Sequence, residues 1–179
     1  LSERGVTHLV IGCNAASTAL PELNAGDLPV TGVIDPAVKL TASLRPKRLG
    51  MIGGRRTVLS GVYRRAFARR GIGVHQRIAQ PLSGMIEGGD TSSNELNAAC
   101  HKILGPLRNS SHILLACTHY PAIETVLRRH VSADTVFIDP ASAMVDAIKA
   151  WGPFPAGRTE YLTSGDEQKM KFAARAAFG

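Results

Sequence analysis

Two short apolar runs that end in a cysteine constrain the fold of this chain more than any other feature. One run ends at Cys13 and the other at Cys117, and a small polar residue, Asn14 or Thr118, follows each cysteine. Four to six apolar residues before turn chemistry are typical of a strand buried on both faces. Both cysteines are therefore predicted at carboxyl ends of strands, the edge where open α/β sheets bind ligands.

The rest of the chain alternates between strand and helix patterns. Strands are predicted at residues 7–13, 30–35, 48–53, 74–79, 112–117, 135–139 and 159–163. Helices are predicted through residues 17–23, 36–44, 57–70, 93–107, 120–131, 141–151 and 166–178, with a glycine-rich loop around residues 84–89. Strands alternating with helices of this length indicate βαβ units, so we expect an α/β fold with mainly parallel sheet.

Composition limits the class of protein. The 179 residues suffice for one domain or two small ones, and the apolar fraction of 44% is that of a globular protein. No apolar run approaches the roughly 18 residues of a membrane helix, so no membrane partner is expected. Three cysteines, an odd number, argue against a disulfide framework and predict a reducing compartment, the cytoplasm.

The net charge of +7 is concentrated in one region. No acidic residue occurs between Asp35 and Glu87, and the stretch includes Arg55, Arg64 and Arg69 among its many basic residues. Such a region could attract nucleic acid or an anionic small substrate. Because it has few aromatic residues and no nucleic-acid motif, a solvated basic face is favoured and a nucleic-acid partner is not expected.

The two strand-end cysteines are candidates for chemistry. A thiol beside the start of the next helix lies near its positive end, which favours the thiolate. The alternative is that they are ordinary core cysteines, as we expect for Cys100 on the apolar stripe of its helix. Because two cysteines occur in the same setting, a chemical role for both is favoured over the core alternative.

Polar neighbours suggest what each cysteine could do. Asn14 and Ser17 could hold a carboxylate or ammonium group, or only cap the helix. His119 could orient or protonate a group beside Cys117. A Cys–His hydrolase dyad leaves Cys13 unexplained, and a zinc site lacks the four ligands that structural zinc prefers.

Two further features are less specific. The turn from Gly53 to Thr57 follows a strand and opens a helix, which suits an anion, yet it matches no nucleotide-binding motif. Glu87, in the glycine-rich loop, could polarise His119, bind an ammonium group or simply be exposed.

Several motifs together resemble one family. CNAAS at 13–17, GMIGGRRTVLSGVY at 50–63, PLSGMIEGG at 81–89, ACTHYP at 116–121 and YLTSGD at 161–166 are similar to glutamate racemases of the aspartate/glutamate racemase family. The resemblance implies two similar open α/β domains with mainly parallel sheets and an active site between them. It places residues 1–36 and 137–179 in the first domain, whose N-terminal part is missing, and 37–136 in the second.

The resemblance also implies an isomerase that needs no cofactor or metal and works as a homodimer. It would interconvert L- and D-glutamate with two cysteines and supply D-glutamate for peptidoglycan synthesis. The residues implied in catalysis are Cys13, Cys117, His119 and Glu87. Those implied in substrate binding are Asn14, Ala15, Thr57, Thr118 and His119.

Three departures from the family pattern keep other functions open. Ala15 and Gly54 occupy positions where the family usually has threonine, and the family's N-terminal segment is absent. That segment supplies an aspartate that supports the first cysteine, so this chain alone is expected to be nearly inert. An aspartate or broad-specificity racemase and a non-catalytic binding homologue are the alternatives.

Overall fold

The computed structural model describes residues 5–152 and 157–179. Within them the strands are β1 (Leu9–Ile11), β2 (Val30–Gly32), β3 (Leu49–Gly53), β4 (Val74–Ile78), β5 (His112–Ala116) and β6 (Val136–Ile138). The helices are α1 (Asn14–Ser17), α2 (Ile34–Ser43), α3 (Arg55–Leu59), α4 (Val62–Ala68), α5 (Gln80–Glu87), α6 (Asn94–Leu104), α7 (Glu124–Arg128), α8 (Pro140–Lys149) and α9 (Glu167–Phe178). Short 3₁₀ turns lie at Leu20–Glu22, Gly105–Leu107 and Tyr120–Ile123.

The strands form two parallel sheets, which confirms the predicted α/β class. A four-stranded sheet has the order β4-β3-β5-β6, and a two-stranded sheet pairs β1 with β2. Leu49 lies opposite His112 where β3 pairs with β5, and Leu9 lies opposite Val30 where β1 pairs with β2. The strands that precede Cys13 and Cys117, β1 and β5, therefore belong to different sheets.

The four-stranded sheet is covered on both faces, as its apolar strands predict. Side chains of β5 alternate between two cores. Ile113 and Leu115 pack in the core that includes α5, α6 and α7, whereas Leu114 and Ala116 pack with α2, α4 and α8. Cys100 is fully buried in the first of these cores, as predicted.

Two predicted elements differ in the region between β3 and α6. The single helix expected over residues 57–70 is split into α3 and α4, because Gly61 adopts a left-handed φ of 65° at the N-cap of α4. The glycine-rich loop expected around Glu87 is instead helix α5. Its buried residues Leu82, Ser83 and Ile86 anchor the helix, so packing outweighs the low helix propensity of glycine.

The C-terminal region also departs from expectation. Residues 159–163, predicted as a strand, are exposed and belong to no strand, whereas helix α9 forms as predicted, with Asp166 as its N-cap. Part of the predicted loop at 152–157 lies outside the described residues. Strand β6, most of which the prediction placed in the first domain, pairs with β5 in the four-stranded sheet. The domain boundaries themselves stay a prediction.

The surface agrees with the solvated basic face expected from the sequence. Arg55, Arg64 and Arg69 are all exposed, on or beside α3 and α4. Across residues 5–152 and 157–179, no helix combines the length and apolarity needed to cross a membrane.

Candidate active site

One cleft brings together the residues singled out in the sequence. It has a volume of about 180 Å³ and lies where β1, β3 and β5 end. The residues that line it follow β1 and β3, lie at or after the end of β5, or belong to α5. The lining residues are Cys13, Asn14, Ala15, Gly54, Thr57, Gln80, Ser83, Glu87, Ala116, Cys117, Thr118 and His119. All eight predicted catalytic or binding residues are in this set.

Cys13 occupies the N-cap of α1 with extended backbone dihedrals, because β1 ends just before it. The residue is exposed, and its thiol is free. The sequence therefore places a solvent-accessible thiol at the carboxyl edge of the smaller sheet.

Cys117 begins a chain of polar contacts. Its Sγ lies 3.4 Å from Nδ1 of His119, and Nε2 of His119 lies 3.2 Å from Oε1 of Glu87. When Nε2 carries the proton and donates it to the carboxylate, Nδ1 is left as an acceptor that faces the sulfur. The three residues can therefore pass a proton between Cys117 and the imidazole.

Burial raises the pKa of the Cys117 thiol above its ordinary value, and negative charge on Cys13 and Glu87 adds to the rise. A hydrogen bond from the His119 backbone N–H opposes this rise in pKa. Without help from His119, Cys117 is therefore mainly a thiol at neutral pH, a form suited to donating a proton.

Asn14 and Ser17 do not cap α1, contrary to one reading of the sequence. Asn14 Oδ1 accepts a hydrogen bond of 2.6 Å from the hydroxyl of Tyr63 on α4. The Ser17 hydroxyl donates to the Ile11 carbonyl and accepts from the Val33 backbone N–H. Asn14 thus belongs to the cleft, and Ser17 ties β1 to the segment after β2.

The turn after β3 supplies further lining residues. Thr57 is 1% exposed and borders the cleft beside Gly54, the N-cap of α3. Gln80 Oε1 accepts from the Arg55 backbone N–H at 3.0 Å, and Gln80 Nε2 donates to the Ser83 hydroxyl at 3.2 Å. This network fixes α5, and with it Glu87, against the start of α3.

Sequence reasoning missed Gln80 and Ser83. Ser83 lies within the PLSGMIEGG motif at 81–89, and Gln80 directly precedes that motif. Within the described ranges, no group of three or more His, Cys, Asp or Glu side chains could hold a metal ion.

The comparisons with known proteins agree on one family. Residues 1–148 match the model of the family described as Asp/Glu/Hydantoin racemase. A glutamate racemase from Beutenbergia cavernae is 34% identical over 98% of this chain and 69% of its own length. One from Desulforudis audaxviator is 31% identical over 83% of this chain and 57% of its own length.

A solved structure agrees on the fold. Glutamate racemase from Francisella tularensis, in complex with D-glutamate, superposes with a TM-score of 0.82 and 23% identity, covering 98% of this chain and 71% of that chain. The chain spans 57% to 69% of the length of the two sequence relatives. The extent of the family match and the identity to these relatives show that the chain belongs to the Asp/Glu/Hydantoin racemase family.

Proposed function

We propose that the protein is a glutamate racemase that interconverts L- and D-glutamate by proton transfer between two cysteines. One observation carries the proposal: thiols at the ends of strands from two different sheets, Cys13 and Cys117, line the same cleft. Inversion at Cα needs one acid/base group on each face of the carbon, and this arrangement offers two.

The reaction transfers one proton at each face. A thiolate on one side takes the Cα proton, so an S–H bond forms, the Cα–H bond breaks and the electron pair passes into the adjacent carboxylate system. The opposite thiol then gives its proton to the other face of Cα and becomes the thiolate. The cysteines exchange protonation states in each turnover, which leaves them ready for the opposite enantiomer.

The His119–Glu87 pair serves the Cys117 side. His119 accepts the thiol proton through Nδ1 when Cys117 must act as a base, and Glu87 stabilises the resulting imidazolium through Nε2. The raised pKa of Cys117 makes this help necessary, because the buried thiol ionises reluctantly. On the donor half of the cycle, the same burial favours the thiol.

The substrate assignment is supported by the polar lining of the cleft and by the relatives. Thr57 and Thr118 offer hydroxyls and Asn14 offers an amide, groups that hydrogen-bond a carboxylate. The similar proteins from Beutenbergia cavernae and Desulforudis audaxviator are glutamate racemases, and the Francisella tularensis enzyme binds D-glutamate.

The proposal extends to the setting of the enzyme. The active site lies between a domain built around β1 and β2 and a domain built around β3 to β5, and it needs no pyridoxal phosphate. The enzyme works as a homodimer in the cytoplasm and supplies D-glutamate for peptidoglycan synthesis. The resemblance to the glutamate racemases supports these points.

The test follows the circular dichroism signal of glutamate and its deuterium uptake at Cα in D₂O, without added cofactor. A chain that carries the family's N-terminal segment is expected to racemise glutamate, whereas the 179-residue chain alone is expected to be nearly inert. Cys13→Ser and Cys117→Ser each abolish racemisation, since general acid–base catalysis contributes about 10²- to 10⁴-fold in rate. The matched control is Cys100→Ala, which removes a buried thiol that does not line the cleft.

Either serine variant racemising at the parental rate would show that the two-cysteine mechanism is wrong. Faster racemisation of aspartate than of glutamate would instead correct the substrate and leave the mechanism standing.

A further inference from the structure

A buried hydrogen bond joins the cleft to the core of the four-stranded sheet. The Tyr63 hydroxyl lies 2.6 Å from Asn14 Oδ1, although the two residues are 49 positions apart in the chain. Tyr63 is fully buried and Asn14 is 2% exposed. The contact therefore fixes α1, which follows Cys13, against α4.

In this hydrogen bond the Tyr63 hydroxyl is the donor and Asn14 Oδ1 is the acceptor. Burial, with a further contribution from the Asp35 carboxylate, raises the pKa of the phenol far above neutral pH. Tyr63 therefore keeps the proton that its hydroxyl donates to Asn14 Oδ1. A carboxamide has its oxygen and nitrogen on opposite branches, so the nitrogen of Asn14 must point away from Tyr63.

The Asn14 nitrogen is left without a partner. Nδ2 is buried and makes no hydrogen bond to any residue in the ranges 5–152 and 157–179. An unpaired buried donor is costly, so most buried polar groups in native proteins find a partner. Asn14 lines the cleft, and a carboxylate in that cleft would supply the missing acceptor.

We propose that Tyr63 is a positioning residue that holds the Asn14 carboxamide with Nδ2 available to donate to a carboxylate oxygen of the substrate. The inference rests on the proposed racemase function and adds a residue to it. The reverse carboxamide orientation would present Oδ1 to the cleft, an acceptor that repels a carboxylate. The Tyr63 hydroxyl therefore selects the orientation that binds an amino acid.

Tyr63 is well supported for this role. Its ring stacks on Phe67 with a centroid distance of 6.0 Å, and both side chains lie in the core with Leu114 and Met51. Rigid core packing holds the hydroxyl in place. The core of the four-stranded sheet thus orients a binding group beside Cys13, the cysteine of the other sheet.

The first experiment is a double-mutant cycle in a chain that carries the family's N-terminal segment, with D- and L-glutamate as substrates. Tyr63→Phe keeps the ring and removes only the hydroxyl, and it is expected to raise KM about tenfold while kcat changes little, because uniform binding is lost. Asn14→Ala raises KM at least as much. In the Asn14→Ala background, Tyr63→Phe has no further effect on KM, because its partner is gone.

The control is Met144→Leu, which changes the same core from the α8 side and leaves Tyr63, Phe67 and Asn14 in place. It is expected to leave KM near the parental value. The positioning role is overturned if the effects of Tyr63→Phe and Asn14→Ala on KM are independent, or if Met144→Leu raises KM as much as Tyr63→Phe does.

A second measurement reads the carboxamide directly and does not depend on turnover. The Asn14 side-chain NH₂ signals in ¹⁵N NMR are expected to shift when D-glutamate is added to the same chain, and the shift shrinks in Tyr63→Phe. Absence of a shift at saturating D-glutamate in the parent overturns the inference. A shift without racemisation keeps the inference and rejects the proposed catalytic function.

Discussion

The two sheets that carry the cysteines differ in how completely they are buried. β5, which precedes Cys117, has four of its five residues buried, and its neighbour β3 is buried throughout. β1, which precedes Cys13, is three residues long, and its Val10 is 38% exposed. The four-stranded sheet therefore has a core on each face, whereas the two-stranded sheet has little buried core of its own.

The difference extends to the thiols. Cys117 is partly buried and backed by His119 and Glu87, while Cys13 is exposed. On the Cys13 side, Asn14 is held by Tyr63, which belongs to the core of the larger sheet. The larger sheet thus organises both halves of the cleft, and the contrast can be tested in stability and in chemistry.

The largest expected effect is on stability. Leu115→Ala in the buried strand β5 lowers the free energy of unfolding by about 2–5 kcal/mol, the usual range for core leucines. Leu9→Ala, the corresponding change in half-buried β1, costs less than about 1 kcal/mol. Urea unfolding of the 179-residue chain measures both.

If Leu115→Ala fails to fold, the milder pair Ile113→Val and Ile11→Val gives the same comparison, with about 0.5–1.5 kcal/mol expected for the buried site. Equal losses at the two strands would contradict the difference in burial.

Thiol reactivity should separate the three cysteines. Iodoacetamide labelling at pH 8 is expected to modify exposed Cys13 first, partly buried Cys117 next and Cys100 last. Burial raises the pKa of Cys100 to about 11, so roughly one in a thousand of its thiols is ionised at pH 8. Mass spectrometry of timed samples gives the order, and labelling of Cys117 before Cys13 would reverse the comparison.

Glu87→Gln should slow only one face of the reaction. Loss of the carboxylate removes a charge-assisted hydrogen bond to His119, worth about 10- to 100-fold in rate. Deuterium uptake from the enantiomer whose proton Cys117 removes therefore falls, while uptake through Cys13 is less affected. Glu124→Gln, which removes an exposed carboxylate paired with Arg128 on α7, is the control and leaves both rates unchanged.

The smallest effect is on pH dependence. Because the pKa of Cys117 is raised, its thiolate is scarce at neutral pH and increases as pH rises toward that pKa. In a His119→Gln variant the Cys117 thiol must lose its proton to solvent, so deuterium uptake through Cys117 is expected to increase up to about tenfold per pH unit above pH 7. A rate in that variant that is flat from pH 7 to 9 would show that His119 is not the group that ionises Cys117.

Local pattern was enough to predict much of the molecule. The strand ends that place Cys13 and Cys117, the Ser93 cap of α6 and the buried position of Cys100 all follow from apolar periodicity and turn chemistry. These features depend on residues that are close together in the sequence, so a single sequence is sufficient to predict them.

Only the tertiary structure decided the remaining features. Glu87 reaches His119 because packing turns a glycine-rich segment into α5, and Tyr63 meets Asn14 across 49 residues. Residues 159–163 have a strand-like sequence, but no strand within residues 5–152 pairs with them, and a strand needs a hydrogen-bonded neighbour. Each outcome depends on contacts between distant segments, whose energies exceed local propensity and are not encoded in any short stretch of sequence.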